Sequence, residues 1–261
     1  MNGYVDSFRK YRGLLWELVK KGIKLKYRRS YLGIIWTLLE PILTTMVLVF
    51  VFQNLFGRDS VNGVPFTMYI LSGRLLYSCF SGGTNVALRS IRANSGMIKK
   101  VYVPKYLYPV AGILHNFIIF GISLIVLVLG MIIFRIKVTW HIFEAIIPLT
   151  LLFLLVLGVG MILSTIAVFF RDMEYLWSVV LMLIMYASAI FYYPDVILES
   201  GVSFILKFNP LFCVISNFRS CLFGQELDTW MLGYSAIFAV ISVVVGYAFF
   251  EKNKNKFILH L

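Results

Sequence analysis

Six apolar stretches, each close to the roughly 20 helical residues that cross a ~30 Å hydrocarbon core, take up most of this chain. They lie at 34–56, 66–88, 107–134, 142–169, 175–193 and 231–250. Little sequence remains between them for a soluble domain, so the hydrophobic fraction of 60% belongs to spans rather than to a water-soluble core. The pattern predicts an all-α integral membrane protein with six transmembrane helices in a single transmembrane domain over 1–261. Within it, 1–30 is an interfacial lead-in, 31–193 holds spans one to five, 194–230 is broken, 231–250 is the sixth span and 251–261 is a tail.

Charge orients these spans. Arg9, Lys10, Arg12, Lys20, Lys21, Lys24, Lys26, Arg28 and Arg29 face only Asp6 and Glu17 in the first 29 residues. The positive-inside bias puts that end in the cytoplasm. Alternation then brings Arg89, Arg92, Lys99, Lys100 and Lys105, and the tail lysines Lys252, Lys254 and Lys256, to the same side. Asp195, Glu199, Glu226 and Asp228 outnumber Lys207 and Arg219 in the segment that falls outside, whereas Arg135 and Lys137 fit the bias less well. The net charge of +12 borders apolar spans and has no aromatic-basic recognition motif. Anionic lipid headgroups, attracting each juxtamembrane Lys or Arg by about 1 kcal/mol, are the expected counter-charge, and nucleic acid is not an expected partner.

Residues 7–29 carry Phe8, Tyr11, Leu14, Leu15, Leu18, Val19 and Leu25 on one helical face and Glu17, Lys20, Lys21, Lys24 and Arg28 on the other. A helix with that division lies in the headgroup plane, either as a topology anchor or as part of a docking surface or gate. Glu40-Pro41 interrupts the first span. A carboxylate costs ~2.5–3.5 kcal/mol at the centre of the bilayer, so Glu40 is expected to face protein or water, as a structural polar group or as a lining residue. Arg74 lies eight residues into the second span, about 12 Å along the helix, and either snorkels outward or lines a polar path. Pro210 splits 194–230 into two short apolar pieces, Val202 to Phe208 and Leu211 to Phe223. Such broken helices are tolerated where they are buried or line a cavity, which predicts a re-entrant pair dipping from the outer side. Gly158, Gly160 and Ser164 permit close helix approach in the fourth span.

Nothing in the chain assembles a catalytic or metal site. His115, His141 and His260 are scattered, and Cys79, Cys213 and Cys221 have no ligand spacing. No phosphate loop of the form Gly-x-x-x-x-Gly-Lys-Ser/Thr exists, so ATP used for transport must be bound by another polypeptide. Aromatic side chains are the more suggestive chemistry. Tyr69, Tyr77 and Phe80 in the second span, with Tyr186, Phe191, Tyr192 and Tyr193 in the fifth, are read either as an interfacial belt or as flat faces lining a sugar path.

Four ordered stretches then define a resemblance. KYRRSYLGIIWTLLEPI, ANSGMIKKVYVPKYLYPV, FFRDMEYL and ILKFNPLFCVISNFRSCLFG resemble, in order and spacing, the membrane subunit of bacterial ABC exporters of lipid-linked polysaccharide such as O-antigen, capsule or teichoic acid. That resemblance implies a multi-pass half-transporter of the cytoplasmic membrane that pairs with itself and with two copies of a separate ATPase carrying ATP and Mg. It also implies a coupling helix over Asn94, Ser95, Gly96, Met97, Ile98, Lys99, Lys100, Val101, Tyr102 and Pro104. Met97, Ile98, Val101 and Tyr102, exposed on a basic loop, would themselves call for a covering partner. Arg171, Asp172 and Glu174 would mark the second cytoplasmic turn, and the path would run between two copies past Tyr69, Tyr77 and the fifth-span aromatics. GRLLYSCF departs from the family pattern at Arg74, Leu76 and Tyr77, where an apolar residue, Pro and Trp are usual. The competing classes are an ABC exporter of lipids or drugs, a membrane-embedded glycosyl- or acyltransferase, and an ion-driven carrier. The two latter classes need convergent acidic or histidine groups, and Glu40 stands nearly alone within the spans.

The orientation is tested by labelling. Asn62→Cys is expected to react with an impermeant thiol reagent on intact cells, and Ser95→Cys only after permeabilisation. The reverse pattern would overturn the assignment of sides.

Overall fold

The computed structural model describes residues 2–28, 30–56, 60–61, 64–101, 103–194 and 203–257. Arg29, Asn62, Tyr102, Asp195, Glu199 and His260, all used in the sequence reading, lie outside the described residues. Helix α1 (Asn2–Tyr27) leads through a 3-10 turn at Gly33–Ile35 into α2 (Trp36–Phe56). A two-residue hairpin, Ser60–Val61 against Val64–Pro65, precedes α3 (Phe66–Ala93). Then follow α4 (Ser95–Ile98), α5 (Leu107–Ile133), α6 (Ile146–Phe169), α7 (Met173–Tyr186), α8 (Phe204–Lys207), α9 (Pro210–Leu222) and α10 (Thr229–Asn253).

Four of these segments, Gly33–Phe52, Leu107–Ile133, Trp140–Phe169 and Thr229–Lys256, are long and apolar enough to cross a membrane. Helix α3 is as long, with 28 residues, but carries Arg74, Arg89 and Arg92 and many small polar residues. It is the hub, packed against α2, α5, α6, α7 and α9, and Arg89 and Arg92 at its end pair with Glu174. Helix α7 is shorter than the apolar stretch at 175–193 suggests. It stops at Tyr186, and Ala189 adopts a left-handed φ of 46°. Side chains account for the stop. Asn209 Nδ2 donates to Ala187 O at 2.9 Å and to Ser188 Oγ at 3.0 Å, and Tyr69 Oη donates to Ala189 O at 3.0 Å. These donors replace the next turn of the helical ladder.

Pro41 sits inside α2 without breaking it. Proline removes the bond to the carbonyl four residues earlier, here that of Thr37, and Ser123 Oγ on α5 donates to Thr37 O at 3.3 Å. Helix α1 packs against the first half of α5, with Leu15 and Val19 buried against Leu107 and Ala111. The amphipathic pattern read from the sequence therefore serves a protein contact as well as a surface. The broken segment resolves into α8 and α9, divided at Pro210, which occupies the first turn of α9 while the Asn209 side chain caps the Leu211 amide.

Helices α6 and α10 form the most extensive helix pair. Gly158 and Gly246 let their backbones meet: a Cβ on Gly158 would collide with the Ser242 backbone and the Val243 amide. Gly158→Val is therefore expected to destabilise the fold by about 1–3 kcal/mol, the range for forcing volume into a packed core. Gly233→Ala, at a glycine with open space around it, serves as control. Thermal unfolding in detergent reads the difference.

Candidate functional site

A polar cavity of about 490 Å³ opens where the α1–α2 junction faces α3 and α5, lined by Lys26, Thr37, Glu40, Thr44, Arg74 and Asn116 among others. The two charged groups singled out separately within the spans, Glu40 and Arg74, thus share one cavity. Arg74 is turned toward α2, where its Nε donates to Thr44 Oγ1 at 3.0 Å. Thr44 in turn donates to Glu40 O at 2.6 Å. Tyr27 and Thr37 join hydroxyls at 2.5 Å, and Asn116 Nδ2 donates to Cys79 O at 3.0 Å. The cavity walls therefore hold both signs of charge and several hydroxyls at the depth of the spans.

The predicted aromatics divide between core and surface. Tyr69, Phe80 and Phe191 are buried, whereas Tyr77, Tyr192 and Tyr193 are half-buried and Tyr186 is exposed. Tyr69 and Tyr193 lie 4.6 Å apart by ring centroid, with Phe66 on both, and Phe52 stacks on Phe191 at 5.8 Å. Tyr186 meets Phe191 edge-on at 6.4 Å. Several hydroxyls serve the backbone: Tyr77 Oη donates to Leu181 O at 2.9 Å and Tyr192 Oη to Tyr186 O at 2.6 Å. Phe80 instead packs on Trp177, whose indole donates to Thr84 Oγ1 at 3.1 Å. Arg219 of α9 joins this outer cluster with its guanidinium 3.5 Å over the Tyr69 ring. Sequence reasoning counted Arg219 only as a charge. The signal was present, since an arginine within a 13-residue apolar helix needs a partner to be buried.

At the other end of α3, the short helix α4 follows directly and leads toward the start of α5. Gly96, Lys99, Lys100 and Val101 are exposed, Asn94, Ser95, Met97 and Pro104 are half-buried, and Tyr102 lies outside the described residues. Ile98 differs from the expectation of an exposed apolar group: it is buried with Ile91, Tyr108, Met161, Phe250 and Phe257. The α4 turn tucks this side chain back onto its own chain, leaving Val101 as the exposed apolar group among the described residues of 94–104. Glu174 is likewise engaged, to Arg89 Nε at 3.0 Å and Arg92 Nη2 at 3.3 Å. It ties the start of α7 to the end of α3, while Arg171 and Asp172 stay exposed. Lys105 Nζ donates to Lys254 O at 2.5 Å, and burial followed by repulsion from Lys254 lowers its pKa below the ordinary lysine value.

Among the described residues no three His, Cys, Asp or Glu side chains converge on a metal position. Long apolar helices around a polar hub, with a charged cavity at the depth of the spans, define a multi-pass membrane protein. The chain belongs to the ABC-2 type transporter family, whose model matches residues 13–223. It is 31% identical over 258 residues to the O-antigen export system permease protein RfbA of Myxococcus xanthus, covering 97% of each chain. To the protein of that name from Klebsiella pneumoniae it is 28% identical over 250 residues, covering 94% of this chain and 93% of the relative. It is also 22% identical over 248 residues to the polysialic acid transport protein KpsM of Escherichia coli, at 91% and 92% coverage.

Tyr69 Oη donates to both Ala189 O and Tyr192 O at 3.0 Å, so its hydroxyl and its ring have separable roles. Tyr69→Phe keeps the ring but leaves the Tyr192 carbonyl without this donor. A loss of about 0.5–1.5 kcal/mol in thermal unfolding is expected, the net worth of a hydrogen bond, because the Tyr192 carbonyl is part-buried and Ala189 O keeps Arg219 as a donor. Unchanged stability would make the hydroxyl contacts incidental.

Proposed function

We propose that this chain is the permease half of an ABC exporter that moves lipid-linked polysaccharide across the cytoplasmic membrane of a bacterium, as a homodimer served by two copies of a separate ATPase that binds ATP and Mg. The observation that carries the reading is the near full-length similarity to O-antigen and polysialic acid permeases. In this reading the chain crosses the bilayer six times. Helices α3 and α7 complete the set begun by the four long apolar segments, and α8 and α9 form the re-entrant pair. Both termini lie in the cytoplasm.

The ATPase seats on 94–104, supported by the exposed Val101 between basic side chains, with Arg171 and Asp172 at the edge of the same face. The glycan passes between two copies. The polar cavity containing Glu40 and Arg74 supports a hydrophilic wall, and the exposed Tyr186, with the half-buried Tyr77, Tyr192 and Tyr193, supplies aromatic surface for a sugar to slide along. Polysaccharide fits such a wall better than the apolar cargo of a lipid or drug exporter does. Whether the glycan is an O-antigen, capsule or teichoic acid chain is read from the product. Deleting the gene should remove surface polysaccharide and leave lipid-linked glycan inside the cell, and accumulation of a simple lipid instead would favour the alternative.

Energy coupling is tested at the seat. The purified chain alone should hydrolyse no ATP, and adding its ATPase should produce hydrolysis. Lys100→Glu combined with Val101→Asp is expected to weaken ATPase binding by ~2 kcal/mol or more, about 30-fold, without touching buried Ile98. Export per inserted permease should fall with it. Full export by that double variant would move the coupling surface elsewhere.

A further inference from the structure

Between the hairpin end of α3, residues 193–194 and α9 lies a second cavity of about 170 Å³, separate from the one that holds Glu40 and Arg74. Its polar lining is Tyr69, Tyr193, Ser216, Arg219, Ser220 and Gln225. We propose that this cavity is a binding site for an oxyanion, a carboxylate or phosphate group, with Arg219 as its charge. Of the two sources of that chemistry, a free anion and an acidic group on a passing glycan, only the second rests on the exporter reading.

Arg219 is 6% exposed. Its Nη1 donates to Ala189 O at 3.0 Å and its Nη2 to Tyr69 O at 2.9 Å, both neutral acceptors. The Tyr69 ring supplies a π face, and among the described residues no carboxylate forms an ion pair with Arg219. Its Nε is buried with no hydrogen-bond partner. A guanidinium has five N–H donors and no acceptor, and a buried cation is costly unless a counter-charge meets it. The position is built for this side chain, because a Cβ on Gly73 would collide with the guanidinium.

The donors around it suit an oxyanion. Ser216, Arg219 and Ser220 fall at i, i+3 and i+4 of α9, one face of the helix, so two hydroxyls line the same cavity as the guanidinium, and the Gln225 amide completes the lining. Arginine favours carboxylate and phosphate, whose oxygens match its fork of donors. At roughly 30 Å³ per water, the cavity admits a carboxylate or phosphate group but not an oligosaccharide. It would therefore read one acidic substituent at a time.

The test uses the full chain in nanodiscs, titrated calorimetrically with inorganic phosphate, sodium glucuronate and glucose. Saturable binding of phosphate, glucuronate or both is expected, with no heat from glucose. Ser216→Asp places a carboxylate in the cavity and should weaken binding about tenfold or more, a shift of ~1.4 kcal/mol, while Ser216→Asn should retain it. Glucuronate binding in preference to phosphate assigns the site to a sugar carboxylate, and the reverse assigns it to phosphate, free or in a phosphodiester. Arg219→Gln should abolish binding; if that variant fails to insert, the Ser216 pair decides. No binding of either anion by the wild-type chain, or equal binding by Ser216→Asp, overturns the proposal. Because neither ATPase nor export enters the measurement, that result would leave the exporter reading standing.

Discussion

In the hydrocarbon core no water is present to hydrogen-bond a carbonyl released from a helix, so every interruption of a span must be answered by protein. This chain answers with side chains from neighbouring helices. Pro41 frees Thr37 O, and Ser123 of α5 takes it. Helix α7 ends near mid-chain of its apolar stretch, and Asn209, Tyr69 and Arg219 take Ala187 O and Ala189 O. Past the next break, Tyr234 Oη donates to Phe208 O at 2.9 Å. The polar residues inside the spans thus act first as substitutes for missing helix bonds, and their positions decide where helices can stop.

The same requirement ties helices together. Helix α3 holds α7 and the chain that continues it at four depths: Tyr69 to Ala189, Tyr77 to Leu181, Thr84 to Trp177, and Arg89 and Arg92 to Glu174. The first three are hydrogen bonds between the packed helices, and the last is a charge cluster at the α4 end. These ties run from Tyr69 near the start of α3 to Arg89 and Arg92 near its end, so the two helices are joined at both ends as well as between them.

Apolar length alone made most of this fold legible in the sequence. The ends expected at 34–56, 66–88, 107–134, 142–169 and 231–250 fall near those of α2, α3, α5, α6 and α10, because a bilayer admits few structures besides a helix. What the sequence hid were features set by residues far along the chain. Helix α7 stops because of Asn209 and Tyr69, which a window over 175–193 cannot contain. Ile98 looked exposed on a short basic loop, yet Phe250 and Phe257 at the other end of the chain cover it. Glu40 and Arg74 were each visible as costly charges, but only the packing of α2 on α3 puts them in one cavity. Arg219 was counted only as a charge of the outer segment, and although an arginine in an apolar helix signals a buried partner, its acceptors are the distant carbonyls of Tyr69 and Ala189, which the sequence does not identify.

Helix α2 stands apart from the other long apolar helices. Its apolar window is 11% buried within the chain, against 50% for the segment that contains α6. Leu43, Met46, Val47 and Phe50 remain exposed along it. Besides the packing of Leu38, Ile42, Leu48, Val49 and Phe52, a small set of polar ties holds it: Thr37 with Tyr27 and Ser123, and Thr44 with Arg74. Each such bond contributes only about 0.5–1.5 kcal/mol net, more where the arginine takes part. Segments with few buried contacts open at low cost relative to a packed core. The α2 wall of the polar cavity shares little buried apolar surface with the rest of the chain, whereas the backbones of α6 and α10 meet closely at Gly158 and Gly246.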